Sequence, residues 1–212
     1  MYNKVNRGEV MFIRTENFQQ FRTYYPVVFT LICINVIVFI GTSLPVIGDK
    51  IFYASVNVNG LVANGEIWRV ITSTFIHAGF LHLLFNMFSL FLFGPELERI
   101  AGKLRFLTIY LLGGIVGNVA TFLTQDSFYA TVGASGAIFG IFGAYLAILA
   151  RHHRYTPQLK QVILPIVVIS VILTFFQSNV NAAGHIGGLI GGFVAGMIYF
   201  TQKRIIRWRN LG

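Results

Sequence analysis

Long apolar runs separated by short polar turns set the pattern of this chain. The first apolar run extends from about Pro26 to Leu44. A semi-polar connection from about 45 to 76 follows, rich in Ile, Val and Phe and carrying Lys50, Glu66, Trp68 and Arg69. Further apolar runs extend from about Leu81 to Leu97, Leu104 to Leu123, Gly133 to Ala150, Val162 to Phe176 and Ala183 to Phe200. Gln125 and Asp126, Arg151-His152-His153-Arg154, and Gln177-Ser178-Asn179 punctuate them. Runs of this length without charges predict membrane-spanning helices. Several fall short of the roughly 20 residues of a perpendicular crossing, which a locally thin bilayer accommodates. The expected fold is an all-α, polytopic membrane protein of six transmembrane helices. It divides into an N-terminal segment 1–25, a helical domain 26–200 and a basic tail 201–212.

Composition agrees. Of 212 residues, 55% are hydrophobic and 11% charged, against about 25% charged in a typical soluble domain. The first run starts after some 25 residues with no small-residue cleavage site behind it. It reads as a retained span, not a removed signal peptide. The lone cysteine, Cys33, lies within an apolar run and says nothing of compartment. The net charge of +9 invites a nucleic-acid reading, but its distribution argues for membrane topology. Of sixteen Lys and Arg, fourteen lie in the N-terminal segment, the second-to-third and fourth-to-fifth turns and the tail. Only Lys50 and Arg69 lie on the other side. The positive-inside rule places both termini in the cytoplasm. The chain is expected in the cell membrane, with no nucleic-acid partner.

That orientation puts three polar groups at one depth, just below the extracytoplasmic surface. Ser135 begins the fourth span, His185 begins the sixth, and His77 and His82 sit where the second begins. Ser135 lies in Gly133-Ala134-Ser135-Gly136. At the first turn of a helix its backbone N–H has no intrahelical partner, and the helix dipole is positive there. Both features stabilise an oxyanion formed when serine attacks a carbonyl. The competing reading is a helix N-cap among packing glycines. An ionisable residue such as His185 inside a span is a functional candidate by default. Gly188, Gly192 and Gly196 extend its face, and small residues at fourfold spacing let helices approach closely. Gly136 and Gly140 offer the matching surface on the fourth span. A neutral imidazole brought there can take the serine proton and pass it to a leaving amine. A histidine hydrogen-bonded within a glycine-packed interface is the alternative. His82 and Asn86, four apart, share a helix face and can donate to a developing negative charge. His77 points elsewhere and reads as structural. HExxH is absent, and His152 and His153 lie on the far side, so no metal site is expected.

Taken together, these motifs resemble those of the rhomboid family of intramembrane serine proteases, over residues from about 26 to 200. Trp68-Arg69 resembles the family's loop motif. His77, His82 and Asn86 match HxxxxHxxxN; Gly94, Glu98 and Gly102 match GxxxExxxG; Gly133, Ser135 and Gly136 match GxSG; His185, Gly188 and Gly192 match HxxGxxxG. The resemblance implies a Ser135–His185 dyad without a third carboxylate. It implies an oxyanion hole from the Ser135 N–H, His82 and Asn86, and a loop carrying Trp68-Arg69 that lies partly in the outer leaflet. It implies that the fifth span and the loop at about 177–183 open laterally to admit a substrate helix, with Phe175 and Phe176 as gate candidates. Substrates would be single-span membrane proteins cut near the outer end of the span, often after a small residue, with no metal and no cofactor. Where the family often has a tyrosine four residues after the serine, this chain has Phe139, which takes a packing role. Glu98 and the Trp68-Arg69 pair read as anchoring groups rather than catalytic ones. Two rival readings are a non-catalytic rhomboid-like binder of membrane spans and a small transporter.

Overall fold

The computed structural model describes residues 12, 14–152, 157–177 and 180–201. Lys4, Arg7, His153, Arg154, Ser178, Asn179 and the tail cations Lys203, Arg204, Arg207 and Arg209 lie outside the described residues, as does part of the expected gate loop.

A short helix, α1 (Phe18–Tyr24), opens the described fold. The Asn17 side chain accepts from the Gln20 N–H while the Gln20 side chain accepts from the Asn17 N–H, a reciprocal cap. The chain turns through 109° into α2 (Pro26–Thr42), whose proline occupies the first helical turn, where its missing N–H is no loss. The long connection is itself helical in pieces: α3 (Gly48–Ser55), α4 (Asn59–Ala63), α5 (Arg69–Thr72) and a 3-10 turn over Ser73–Phe75. Then come α6 (Phe80–Ala101), α7 (Lys103–Thr124), α8 (Ser135–His152), α9 (Pro157–Phe176) and α10 (Ala182–Tyr199). These last five are long and apolar enough to cross a membrane, and the bent pair α1–α2 makes a sixth candidate.

Two helices extend beyond the expected spans. α6 runs to Ala101 instead of Leu97 because its polar end is satisfied internally: Arg99 pairs with Glu96 at 2.7 Å. Its 22 residues reach about 33 Å, enough for a hydrocarbon core. α9 likewise starts at Pro157, its first turn carrying the polar Gln158 and Lys160. The expected spans include neither α1, within the N-terminal segment, nor the helical pieces α3, α4 and α5 and the 3-10 turn of the connection, expected as a loop, nor two short strands. Strands β1 (Asn57–Val58) and β2 (Ala130–Thr131) pair antiparallel, tying the connection to the approach to α8.

Glu98 anchors α2. Its carboxylate accepts from the backbone N–H groups of Val27 and Val28, at 3.1 and 2.9 Å. These are orphan donors of the first turn, with no partner in their own helix. Glu98→Ala should therefore destabilise the protein by ~1–3 kcal/mol, seen as a lower thermal midpoint in detergent. The end of α6 that carries His82 should be unaffected, because Glu98 lies at the opposite end of that helix.

α8 is the central helix. Of its 18 residues 67% are buried inside the molecule, against 22% of Leu159–Phe176 in α9. α10 packs chiefly on α8 and α7. A Cβ on Gly188 would run into the carbonyl oxygen of Gly136, and one on Gly192 into that of Gly140. Only glycine lets α10 lie against α8 so closely. α9 is the outlying member, with Leu173, Phe175 and Phe176 exposed on the bundle surface.

Candidate active site

The stretch before α8 is held from two sides. Asn59 N–H donates to the Tyr129 carbonyl and Gly60 N–H to that of Ser127, at 3.1 and 2.8 Å. The Asn59 side chain donates to the carbonyls of Gln125 and Asp126 at 3.2 and 3.0 Å. Gly133, at φ +117°, makes the final bend, a conformation that disfavours any side chain. Its N–H donates to the Ser73 carbonyl at 2.9 Å. The carbonyl of Ala134 then accepts the first helical bond, from Ile138 at 3.0 Å. Ser135 is thus the first residue of α8, where a backbone N–H has no helical acceptor.

α10 begins just as firmly. Asn181 caps it by accepting from the Gly184 N–H at 2.9 Å. Its amide donates to Thr121 Oγ1 at 2.7 Å and Thr131 Oγ1 at 3.1 Å, joining α10 to α7 and β2. The imidazole of His185, in the first turn, stacks on the ring of Phe139 with centroids 4.1 Å apart and 17° between planes. Phe139 follows Ser135 by four residues, so both share a face of α8, and a helical side chain leans toward the preceding turn. The imidazole consequently rests beside the serine's own turn. Ser135 and His185 line one cavity of about 10 Å3, with Thr74, Asn118 and Asn181 on its other walls. That is the scale of a single water. Nδ1 of His185 lies 2.8 Å from Thr174 Oγ1 on α9.

His82, in the first turn of α6, places its ring against Gly133: a Cβ there would sit 2.6 Å from the Cε1 and Nε2 atoms. Asn86 is buried one turn on and donates to the His82 carbonyl at 2.9 Å, which leaves one amide proton uncommitted. His77 is buried and meets the His82 ring edge to face at 5.1 Å. Trp68 and Arg69 do not reach this cavity. The Trp68 indole donates to the Ala54 carbonyl at 3.2 Å. Arg69 is buried, with its guanidinium on Glu66 at 2.6 Å and on the carbonyls of Tyr53 and Val56, each at 2.7 Å. Both lock the connection between α2 and α6.

Sequence reasoning missed Thr174 and Asn181. Asn181 carried a readable signal, an Asn directly before a periodic apolar stretch. Thr174 carried a weaker one, a hydroxyl inside an otherwise apolar run.

A bundle of apolar helices enclosing a serine and an imidazole at one end defines a polytopic membrane protein with a buried polar site. Residues 64–202 match the Rhomboid domain. The chain is 44% identical over 195 residues to YdcA, a rhomboid protein of Bacillus subtilis, covering 91% of this chain and 98% of that one. It is 44% identical over 138 residues to the rhomboid protease GluP of the same organism, covering 65% of this chain and 27% of GluP. RHOMBOID-like protein 5 of Arabidopsis thaliana is 35% identical over 147 residues, covering 68% of this chain and 48% of the relative. The chain belongs to the rhomboid family of intramembrane serine proteases.

Proposed function

We propose that this protein cleaves the membrane-spanning segments of other proteins, with Ser135 as nucleophile and His185 as general base. The observation that carries the reading is the shared cavity, with the His185 ring held on Phe139 one turn from the serine. Ser135 Oγ attacks the scissile carbonyl carbon and its proton passes to His185. The tetrahedral intermediate collapses, the C–N bond breaks, and His185 returns the proton to the leaving amine. Water, deprotonated by the same imidazole, then hydrolyses the acyl-enzyme and frees Ser135.

The developing oxyanion needs donors that are in place beforehand. The Ser135 N–H at the positive end of α8 supplies one. The His82 ring beside Gly133 and the free amide proton of Asn86 supply two more. His82→Ala and Asn86→Ala should each lower kcat by roughly 10²–10³-fold with the fold intact. Single-turnover cleavage at saturating substrate, paired with a thermal melt, measures this.

The concentration of Lys and Arg around the termini supports cytoplasmic ends and a site toward the extracytoplasmic face of the cell membrane. Single-span membrane proteins cut near the outer end of the span suit that depth. A cavity the size of one water cannot admit a peptide, so the exposed Phe175 and Phe176 side chains at the end of α9 are the groups proposed to swing aside, the Thr174–His185 contact staying in place. Purified protein in sealed vesicles with a model single-span substrate tests the proposal, mass spectrometry of the products locating the cut. A cut on the extracytoplasmic side of the span is expected. A cut at its cytoplasmic end contradicts the orientation.

A further inference from the structure

Thr174 sits in α9 among residues that face outward, yet it is itself buried at 4% exposure. Its hydroxyl has two neighbours. Oγ1 donates to the Ser170 carbonyl one turn back at 2.8 Å. The same oxygen lies 2.8 Å from His185 Nδ1. A threonine hydroxyl has one proton and two lone pairs. When that proton stays on the Ser170 carbonyl, the contact with His185 is satisfied with Nδ1 carrying hydrogen and the threonine oxygen accepting it. A neutral imidazole has a single N–H, so its Nε2 then bears the lone pair.

We propose that Thr174 is a positioning residue that holds His185 in the Nδ1–H tautomer, leaving Nε2 free to accept the serine proton. The inference rests on the reading of His185 as the base. In a serine hydrolase with a carboxylate, that group fixes the imidazole's tautomer and orientation. Here a neutral hydroxyl does so. It still accepts from Nδ1–H once Nε2 is protonated, so the bond persists through the proton transfer. Phe139 fixes the plane of the ring and Thr174 fixes its rotation within that plane. A threonine serving only its own helix would also donate to the carbonyl four residues back. The contact with Nδ1 is what sets this one apart.

Thr174→Val removes the hydroxyl and keeps the shape; Thr174→Ser keeps the hydroxyl. The valine variant should lose kcat on the order of tenfold, the scale of one lost hydrogen bond, with KM changed less than about twofold. The serine variant should recover most of the rate. Protein labelled with 15N in its imidazoles, with the His185 signals assigned by their loss in His185→Ala, reads the tautomer without turnover. Wild type is expected to show a proton-bearing Nδ1 and an unprotonated Nε2, and the valine variant a mixture. A wild-type Nε2–H overturns the proposal, as does a valine variant with unchanged kcat and an unchanged Nδ1–H signal. If the valine variant loses its thermal transition, the wild-type tautomer decides alone. Serine-directed labelling at Ser135 alongside a fully active valine variant overturns the role of Thr174 and leaves the base intact. Full cleavage by His185→Ala overturns both.

Discussion

Ser135→Ala should abolish proteolysis, lowering cleavage of a single-span substrate by at least roughly 10⁴-fold, the scale on which a serine hydrolase falls when its nucleophile is removed. The loss is expected in kcat. Substrate binding should survive, because the hydroxyl is a small part of the surface a span would meet. Stability should change little, since Ser135 is the first residue of α8 and the helical bonds start from the Ala134 carbonyl before it. Nothing in the cavity replaces the hydroxyl: the other hydroxyls there, Thr74 and Thr131, belong to different elements and do not stand at the N-terminus of α8. Quantified cleavage in proteoliposomes, with helical content checked by circular dichroism, measures the effect. Residual activity within tenfold of wild type would remove Ser135 from the chemistry.

The second large effect comes from a residue with no side chain. Gly188→Val should lower activity by roughly 100-fold or more and destabilise the protein by ~3 kcal/mol. The new Cβ would meet the Gly136 carbonyl oxygen, a backbone atom next to Ser135 that cannot swing away. α10 has to shift outward, and overpacking of this kind costs about 1–3 kcal/mol or more. His185 moves with it, and a displacement of about 1 Å between catalytic groups is enough for a roughly 100-fold loss. Ile190→Ala on the lipid-facing side of the same helix is the control, being 56% exposed; its activity should stay within a fewfold of wild type. Activity and thermal midpoint of both variants, measured in the same detergent, separate this from a general weakness of α10. A fully active Gly188→Val protein would mean that the two helices need not touch at this point.

Much of the architecture was legible because bilayers impose coarse rules. Apolar length marked the six long helices but not the short α1, α3, α4 and α5, and the glycines at 136, 140, 188 and 192 announced which two would approach closely before any contact was seen. Their spacing works because it repeats with the helical turn, so a local pattern encodes a tertiary meeting. Helix ends were harder. Hydropathy falls at Glu96, Glu98 and Arg99, yet α6 continues through them, because buried partners replace water and no composition rule sees a partner. The β1–β2 pairing was invisible for a related reason. Two residues on each strand have no period, and they pair across more than seventy positions.

In the candidate site, Ser135 and His185 stood out by residue type and common depth. Thr174 did not, since a threonine in a span commonly bonds to its own backbone, and only the fold brings α9 alongside the imidazole. Phe139 is intermediate. Its place four residues after the serine was readable, and the stacked geometry that gives the place meaning was not.

The most direct measurement is covalent labelling with a serine-reactive fluorophosphonate, the adduct being mapped by mass spectrometry in wild type and in His185→Ala. The account predicts a single adduct on Ser135 in the wild type, with its rate of formation collapsing when His185 is removed. An adduct on another residue, equal labelling in both proteins, or no adduct on a protein that still binds membrane spans would contradict it, the last outcome marking a binder and not a protease.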